Sequence, residues 1–274
     1  MNAESPGATL ARYYDLDLTE DQGDVELYLA LAGAHGGDVL ELCAGSGRVC
    51  VPLAAAGHRV TAVDSDPQML ERAAAHWADA AGTQPGGGRE QEADDNLELV
   101  MADVRSFRAD RRYGLVLLAL NSLLLLDDRD AQCEALATMA SHLTPDGRAV
   151  IDVWLPTPDD LEIYDGRTVL EWVRPDQNGD WVAKTTSARH EPATQRAEVT
   201  TFFDAWSEVR PLQRWMRRDR IAFVGAHELA ALAERAGLTV ETMAGDYELG
   251  PFDSDSERVV LVCRVGPSKV RSRG

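Results

Sequence analysis

VLELCAGSGRV, residues 39–49, decides the fold of this chain, because it predicts a buried strand that turns at once into a helix. The apolar run 39–43 is typical of a strand, and a helix is expected over 48–56. Between them, Gly45 and Gly47 predict a sharp turn, since a residue without a Cβ atom lets the backbone bend and approach a ligand closely. A strand, a glycine turn and a helix indicate a Rossmann-like nucleotide site, a pattern that NAD-dependent enzymes share.

The same alternation of strands and helices continues along the chain. Short apolar runs followed by helical stretches predict βαβ units, and hence a parallel sheet covered by helices. Seven strands are expected, at 39–43, 60–63, 97–101, 115–120, 149–153, 239–244 and 258–265. Helices are expected at 24–34, at 48–56, after Asp66-Pro67, at 131–143 and at 226–236. The prediction is an α/β fold with a Rossmann-like, seven-stranded, mostly parallel sheet and helices on both faces.

The pattern changes after Pro156 and returns near residue 225. Four segments rich in Val, Thr, Phe and Trp predict an inserted antiparallel β lid, at 168–174, 181–190, 196–206 and 214–223. The chain is therefore expected to contain an N-terminal helical cap (1–35), a core (36–155 and 225–265), the inserted lid (156–224), a mobile loop rich in Gly, Pro and charge (82–95) and a loose tail (266–274).

The composition argues against several kinds of partner. Lys and Arg number 27 against 46 Asp and Glu, a formal net charge of −19, so phosphate backbones and anionic lipid would be repelled. No apolar run approaches the roughly twenty residues that a membrane helix needs, and the N-terminus has no signal-peptide pattern. The four cysteines form no CxxC pair and lie among apolar neighbours, which is typical of buried free thiols in a reducing compartment. We expect a cytoplasmic monomer or homodimer that binds neither nucleic acid nor membrane.

Acidic residues stand at the ends of the second and third predicted strands. Asp64 ends the second strand, 23 positions after Glu41, where its carboxylate can accept hydrogen bonds from both hydroxyls of a ribose. Asp103 follows the third strand, where it can accept from an adenine amino group or simply form a turn. Asp64 could instead cap the next helix, although Asp66 is better placed for that. Cys50 stands where a dinucleotide-binding turn has its third glycine, which argues against NAD.

Three segments together resemble the first three motifs of class I S-adenosylmethionine-dependent methyltransferases. They are Glu41-Leu-Cys-Ala-Gly-Ser-Gly-Arg48, Val63-Asp-Ser-Asp-Pro-Gln-Met-Leu70 and Ala102-Asp-Val104. The resemblance covers about residues 36–155, and the last helix and strands also fit it. It implies S-adenosylmethionine as the cofactor and says little about the acceptor.

The resemblance also implies which residues contact each part of the cofactor. The methionine moiety would lie against Glu41, Ala44, Gly45, Gly47, Ala119 and Leu120, the ribose and its flank against Asp64, Ser65 and Met69, and the adenine against Asp103 and Val104. Arg48 would either pair with the cofactor carboxylate or remain in solvent.

The acceptor site is less defined. The insertion resembles the lid of sugar-amine and antibiotic-tailoring methyltransferases of secondary metabolism. We expect Tyr14, Asn121 and Trp154 at a small-molecule pocket: Trp154 ends the fifth strand, and Tyr14 belongs to an N-terminal Tyr-Asp element that contacts the acceptor in relatives or else packs an N-terminal helix. The chain lacks the Asn-Pro-Pro-Tyr loop of enzymes that methylate nucleobases. It also lacks the histidine that small-molecule relatives often carry near Leu125. Asp152 has no companion carboxylate pair, so no metal is expected.

Three functions stay open at this point. The first is in-line methyl transfer to a nitrogen or oxygen of a small molecule, driven mainly by proximity and alignment, with no catalytic residue assigned. A clear general base is missing, which favours a nitrogen acceptor or an acidic hydroxyl. The second is a non-catalytic protein that binds S-adenosylmethionine on a methyltransferase scaffold. The third, a nicotinamide-dependent oxidoreductase, is disfavoured by Cys50.

Overall fold

The computed structural model describes residues 5–18, 23–82 and 96–266. The predicted loop at 82–95 and the predicted tail at 266–274 therefore lie outside the described residues, except for Gly82 and Gly266. The chain divides into two compact units. A core unit contains Gly23–Leu123, Asp128–Leu155 and Val224–Gly274, and an inserted unit contains Met1–Gln22, Leu124–Asp127 and Pro156–Phe223.

The helices and strands follow the predicted order. The α-helices are α1 (Pro6–Asp15), α2 (Asp24–His35), α3 (Cys50–Ala55), α4 (Pro67–Gly82), α5 (Arg129–His142), α6 (Pro158–Glu162) and α7 (Ala226–Arg235). The strands are β1 (Val39–Leu42), β2 (Val60–Asp64), β3 (Leu97–Met101), β4 (Tyr113–Leu118), β5 (Leu143–Trp154), β6 (Asp165–Pro175), β7 (Trp181–Glu191), β8 (Arg196–Trp206), β9 (Gln213–Ala222), β10 (Leu238–Ala244) and β11 (Arg258–Val265).

The core unit contains a seven-stranded sheet in the order β10-β11-β5-β4-β1-β2-β3. Strands β3, β2, β1, β4 and β5 are parallel, whereas β11 runs antiparallel to both β5 and β10. The chain moves across the sheet in one direction from β1 to β3 and in the other from β4 to β5. Right-handed crossovers therefore place α3 and α4 on one face and α5 on the other. The predicted Rossmann-like, mostly parallel sheet is confirmed.

The direction of the chain reverses between β1 and β4, in the middle of the sheet. Both strands are buried along their whole length, as expected for strands with helices on both faces. At such a switch point, the carboxyl ends of parallel strands leave a crevice in which ligands bind. The fold thus provides a ligand site at the end of β1, where the glycine turn begins.

Helix α2 belongs to the core unit, although the sequence analysis placed it in the N-terminal cap. Its residues Leu27, Tyr28 and Ala32 are buried in the same cluster as Leu53 of α3 and Leu115 of β4. The division therefore differs from the predicted one, because the apolar face of α2 packs into the core.

The inserted unit contains the predicted antiparallel sheet, in the order β6-β7-β8-β9. Helix α1 is part of this unit, and its Tyr13 is buried among Val182, Phe203 and Ala205. The Tyr13 ring centroid lies 5.5 Å from those of Phe203 and Trp215. Aromatic contacts at such distances add to the burial of apolar area. Tyr13 is therefore a core residue of the inserted unit.

Two local predictions differ from the structure. β5 begins at Leu143 rather than at residue 149, because Leu143 already pairs with Tyr113 of β4. Cys50 and Cys263 are buried, as expected, but Cys43 and Cys133 are only half-buried.

Candidate active site

The core residues predicted to bind the cofactor lie at the carboxyl ends of neighbouring strands. Glu41 lies in β1 just before the glycine turn, and Asp64 ends β2. Asp103 follows β3, and Leu120 follows β4. Because these strands are parallel, their carboxyl ends share one edge of the sheet, at the switch point. The structure therefore brings these side chains to one side of the core unit.

The turn after β1 requires glycine at two positions. Gly45 and Gly47 have φ angles of +57° and +91°, which strain a residue with a Cβ atom. A Cβ on Gly47 would also lie 3.0 Å from Cβ of Ala73 and from Cγ2 of Val51. Gly47 therefore lets α3 and α4 approach each other, as well as allowing the turn.

Glu41 is a buried acid, and one of its two carboxyl oxygens accepts no hydrogen bond from the described residues. Its side chain is buried, and Oε2 has no hydrogen-bond partner within the described part of the chain. Burial raises the pKa of this carboxyl to about 8, against the opposing effect of the nearby Arg48 guanidinium. A buried carboxyl oxygen without a donor is unfavourable. The position therefore suits a ligand that brings a cationic donor, such as an ammonium group.

Arg48 is held inside the protein by Asp24. Its Nη1 and Nη2 donate to Oδ1 and Oδ2 of Asp24 at 2.7 and 2.5 Å, and Asp24 is fully buried. Burial lowers the pKa of Arg48, but the hydrogen bonds and charge of Asp24 raise it above its ordinary value. The alternative in which Arg48 remains in solvent is wrong, because α2 supplies a buried carboxylate for it.

Asp64 connects the glycine turn to the end of β2 through a hydrogen bond. Its Oδ2 accepts from the backbone N–H of Gly45 at 2.8 Å, and its Oδ1 accepts from that of Asp66 at 2.9 Å. An ionised carboxylate has about four acceptor sites, so each oxygen retains capacity for a further donor. Asp66 caps α4 by accepting from the N–H of Gln68 at 2.8 Å, which leaves Asp64 available for a ligand.

Asp103 forms a turn with Arg105. Its carboxylate accepts from the Arg105 N–H at 2.8 Å and from the Arg105 guanidinium at 2.5 Å. These side-chain hydrogen bonds lower the pKa of Asp103. Of the other residues in the predicted set, Ala44, Val104 and Ala119 are buried, Met69 is half-buried and Ser65 is exposed.

A polar cluster that the sequence analysis missed lies at the ends of β4 and β5. Asp152 is fully buried, and its Oδ1 accepts from Tyr28 Oη at 2.7 Å and from the Leu120 N–H at 2.8 Å. Its Oδ2 accepts from Tyr247 Oη at 2.8 Å and from Arg258 Nη1 at 3.4 Å. Burial raises the pKa of Asp152. A signal for this cluster existed, since an acid inside the apolar run 149–153 needs polar partners.

The three residues predicted at the acceptor pocket lie in different units. Asn121 and Trp154 belong to the core unit, where Asn121 Oδ1 accepts from the Trp154 N–H at 2.5 Å. The side-chain oxygen of Asn121 thus accepts a hydrogen bond from the backbone of Trp154. The side-chain NH₂ group of Asn121 is the part suited to a ligand. Tyr14 is half-buried in the inserted unit, with the Arg217 guanidinium 5.6 Å from its ring centroid.

Within residues 5–18, 23–82 and 96–266, no three or more His, Cys, Asp or Glu side chains are grouped so as to hold a metal ion. In the same ranges, no helix has the length and apolar character needed to span a membrane.

The chain is similar to a known family and to a curated protein of similar length. The family described as methyltransferase domain matches residues 22–243. The Cypemycin N-terminal methyltransferase of a Streptomyces species is 24% identical over 231 residues, which cover 83% of this chain and 82% of the relative.

Solved structures share the whole fold. An S-adenosylmethionine-dependent methyltransferase from Clostridium acetobutylicum has a TM-score of 0.74 at 15% identity, over 94% of this chain and 98% of its own. A sugar N-methyltransferase from a Streptoalloteichus species has a TM-score of 0.69 at 17% identity, over 96% of each chain. At such identities, these structures establish a common fold and leave the substrate open.

Proposed function

We propose, from the premise that this chain belongs to the methyltransferase-domain family, that it transfers a methyl group from S-adenosylmethionine to a nitrogen or oxygen of a small molecule, with nitrogen favoured. The family match spans residues 22–243. The predicted resemblance to class I methyltransferases of the small-molecule type is confirmed, and S-adenosylmethionine is the cofactor.

The unpartnered oxygen of Glu41 is the observation that carries this proposal. The α-ammonium group of the cofactor would give Glu41 Oε2 the donor that the described residues do not supply. The free acceptor capacity of Asp64 suits the ribose hydroxyls, and Asp103 and Val104 follow β3 where an adenine edge would lie. The residues present therefore fit the cofactor at both of its ends.

The mechanism needs alignment more than acid–base chemistry. When bound, the cofactor supplies a methyl group on a sulfonium, which departs as a neutral thioether. Glu41 and the turn at Gly45 and Gly47 would fix the methionine end, while the buried Ala119 excludes water beside it. Asp64 would hold the ribose, so that its effect on the rate comes through orientation. The chain would thus contribute a site that excludes water and aligns the methyl group of the donor with the lone pair of the acceptor.

A nitrogen acceptor is favoured on chemical grounds. A neutral amine has its own lone pair and needs no base, whereas an unactivated hydroxyl benefits from one. Of the acids at the strand ends, Asp103 pairs with Arg105, whereas Glu41 and Asp64 are assigned to the ammonium group and the ribose of the cofactor, so none is assigned as a base. The curated relative is named as an N-terminal methyltransferase, and one structural neighbour as a sugar N-methyltransferase.

The first test is a panel of acceptors. Purified protein would be incubated with S-adenosylmethionine and amino sugars, peptides with free N-termini, other small amines, and phenols, with S-adenosylhomocysteine formation and acceptor mass as readouts. We expect turnover on at least one amine and little on phenols. Tight binding of S-adenosylhomocysteine with no transfer to any class would favour the non-catalytic alternative. Exclusive transfer to phenols would overturn the preference for nitrogen.

A second test uses the protonation of Glu41. Because burial places its pKa at about 8, the free carboxyl is mostly protonated at pH 7 and must ionise to pair with an ammonium group. Binding of S-adenosylhomocysteine at pH 7 should therefore release close to one proton, and release should disappear as the pH rises well above 8. Calorimetry in buffers of different ionisation enthalpy measures this number.

Glu41→Gln provides the matched control for proton release. The amide has nearly the same shape but cannot ionise, so the variant should bind more weakly and release no proton from this position. Equal proton release in the wild-type chain and in Glu41→Gln would show that Glu41 does not pair with the ammonium group at the methionine end of the ligand.

A further inference from the structure

The segment that follows β4 has a backbone conformation that ordinary residues avoid. Leu120 and Asn121 have φ angles of +47° and +66°. Asparagine tolerates this left-handed region, but leucine is strained there, because its Cβ approaches the backbone. Residues in such conformations persist when surrounding contacts determine them, and they cluster at binding sites. The question is therefore what holds Leu120 in place.

The contacts that hold this turn come from the end of β5. The carboxylate of Asp152 accepts from the Leu120 N–H at 2.8 Å, and the Asp152 backbone carbonyl accepts from the Asn121 N–H at 3.3 Å. The Trp154 N–H then donates to Asn121 Oδ1 at 2.5 Å. Two residues of β5 thus fix both left-handed residues after β4.

Asp152 is itself held by residues from three further parts of the core unit. Tyr28 on α2 and Tyr247, between β10 and β11, each donate a phenol hydroxyl to it. Arg258 of β11 lies 3.4 Å from Asp152 Oδ2, and it also donates to Tyr247 Oη at 2.5 Å. Such a fully buried and fully engaged carboxylate cannot change its orientation without breaking several hydrogen bonds.

Stability alone does not account for an acidic side chain at this position. Replacing a buried ion pair with well-packed apolar residues often leaves a protein equally stable or more stable. The hydrogen bond to Leu120, in contrast, requires an acceptor at this point. Asp152 therefore accepts a hydrogen bond from the Leu120 N–H that an apolar side chain could not accept, and this bond holds the backbone of Leu120.

We propose that Asp152 is a positioning residue, which holds the Leu120–Asn121 turn in the shape that receives the methionine end of the methyl donor. The inference rests on the proposed function for the identity of the donor. It assigns no chemical step to Asp152, which acts through the backbone of Leu120.

The main experiment compares Asp152→Ala with Asp152→Asn by calorimetric titration with S-adenosylhomocysteine. Asp152→Ala removes the acceptor for the Leu120 N–H and should weaken binding by at least about tenfold. Asp152→Asn retains an acceptor oxygen at that position, so it should keep the affinity within about threefold of the wild-type value. Equal losses in the two variants would overturn the proposal.

Asp176 provides a matched control in the inserted unit. It is also buried, and its Oδ1 accepts two backbone N–H groups, from Asn178 at 2.8 Å and from Asp180 at 3.0 Å, while Arg12 pairs with Oδ2. Asp176→Ala should lower stability, yet change the affinity for S-adenosylhomocysteine by less than about twofold. A loss of affinity as large as that of Asp152→Ala would show general destabilisation, and would overturn the proposal.

A double-mutant cycle tests whether Asp152 acts through Leu120. Glycine adopts the left-handed conformation freely, so Leu120→Gly should reduce the need for the hydrogen bond. Asp152→Ala should then cost at least about threefold less in affinity in the Leu120→Gly background than in the wild-type chain. Identical costs in both backgrounds would mean that Asp152 does not act through this turn.

Hydrogen exchange of the ligand-free protein separates this inference from the proposed function. The Leu120 amide should exchange at least about tenfold faster in Asp152→Ala than in the wild-type chain, without ligand. Unchanged exchange would overturn the positioning role, even in a chain that binds and turns over the donor. Failure of the wild-type chain to bind S-adenosylhomocysteine would instead overturn the proposed function, while exchange still reports whether Asp152 holds the turn.

Discussion

Asp64→Ala is expected to weaken the binding of S-adenosylhomocysteine by about a hundredfold or more, because hydrogen bonds to a charged acceptor are stronger than neutral ones. The substitution removes the acceptor for two backbone N–H groups, those of Gly45 and Asp66. It would also remove the acceptor for the ribose hydroxyls. The glycine turn would lose its hydrogen bond to the end of β2, and the ligand would lose its contact with the Asp64 carboxylate. Calorimetric titration at constant pH measures the change.

Asp66→Ala is the control for this experiment, since Asp66 lies two positions further along the same segment. Its carboxylate caps α4 through the Gln68 N–H. Loss of a helix cap costs about 1 kcal/mol of stability, so Asp66→Ala should lower the melting temperature while changing affinity little. If Asp66→Ala and Asp64→Ala lost affinity equally, the ribose assignment would be wrong.

The fold could be predicted because its signals are local. Apolar runs that alternate with helical stretches predicted the seven strands of the core sheet, and consecutive segments rich in Val, Thr, Phe and Trp predicted the four strands of the insertion. The glycine turn at Gly45 and Gly47 indicated the ligand edge, since glycine adopts positive φ angles more readily than other residues. β5 was placed too late because its start depends on pairing with Tyr113, a partner distant in sequence.

The candidate site could be predicted only where each residue lies at or just after the end of a strand. Glu41, Asp64 and Asp103 were expected at one edge of the sheet for this reason, and their strands do end at a common edge. The partners of Asp152 lie on α2, before β11 and in β11, far away along the chain, and no local pattern connects them. The pairing of Arg48 with Asp24 was missed for the same reason. Buried polar clusters depend on the tertiary fold, and sequence shows only that a buried acid needs a partner.

Gly114→Ala is expected to lower the free energy of unfolding by about 3 kcal/mol or more, the upper range for overpacking. A Cβ at this position in β4 would lie 1.8 Å from the backbone oxygen of Gly36 and 3.5 Å from Cα of Gly37. Backbone atoms cannot rotate away as a side chain can, so either β4 or the turn before β1 would have to move. Both β4 and β1 lead to the candidate site. Denaturant unfolding followed by circular dichroism measures the decrease in the free energy of unfolding.

Gly33→Ala separates this steric effect from the general effect of replacing a glycine. Gly33 lies in α2, three residues before Gly36, and a Cβ there would meet nothing within 4 Å. Alanine is favoured over glycine in a helix by about 1 kcal/mol, so Gly33→Ala should be neutral or stabilising. The same added methyl group should therefore have opposite effects at two glycines of one unit. Equal stability of Gly114→Ala and the wild-type chain would show that the Gly36 carbonyl does not lie against β4, and the path of the chain into β1 would need revision.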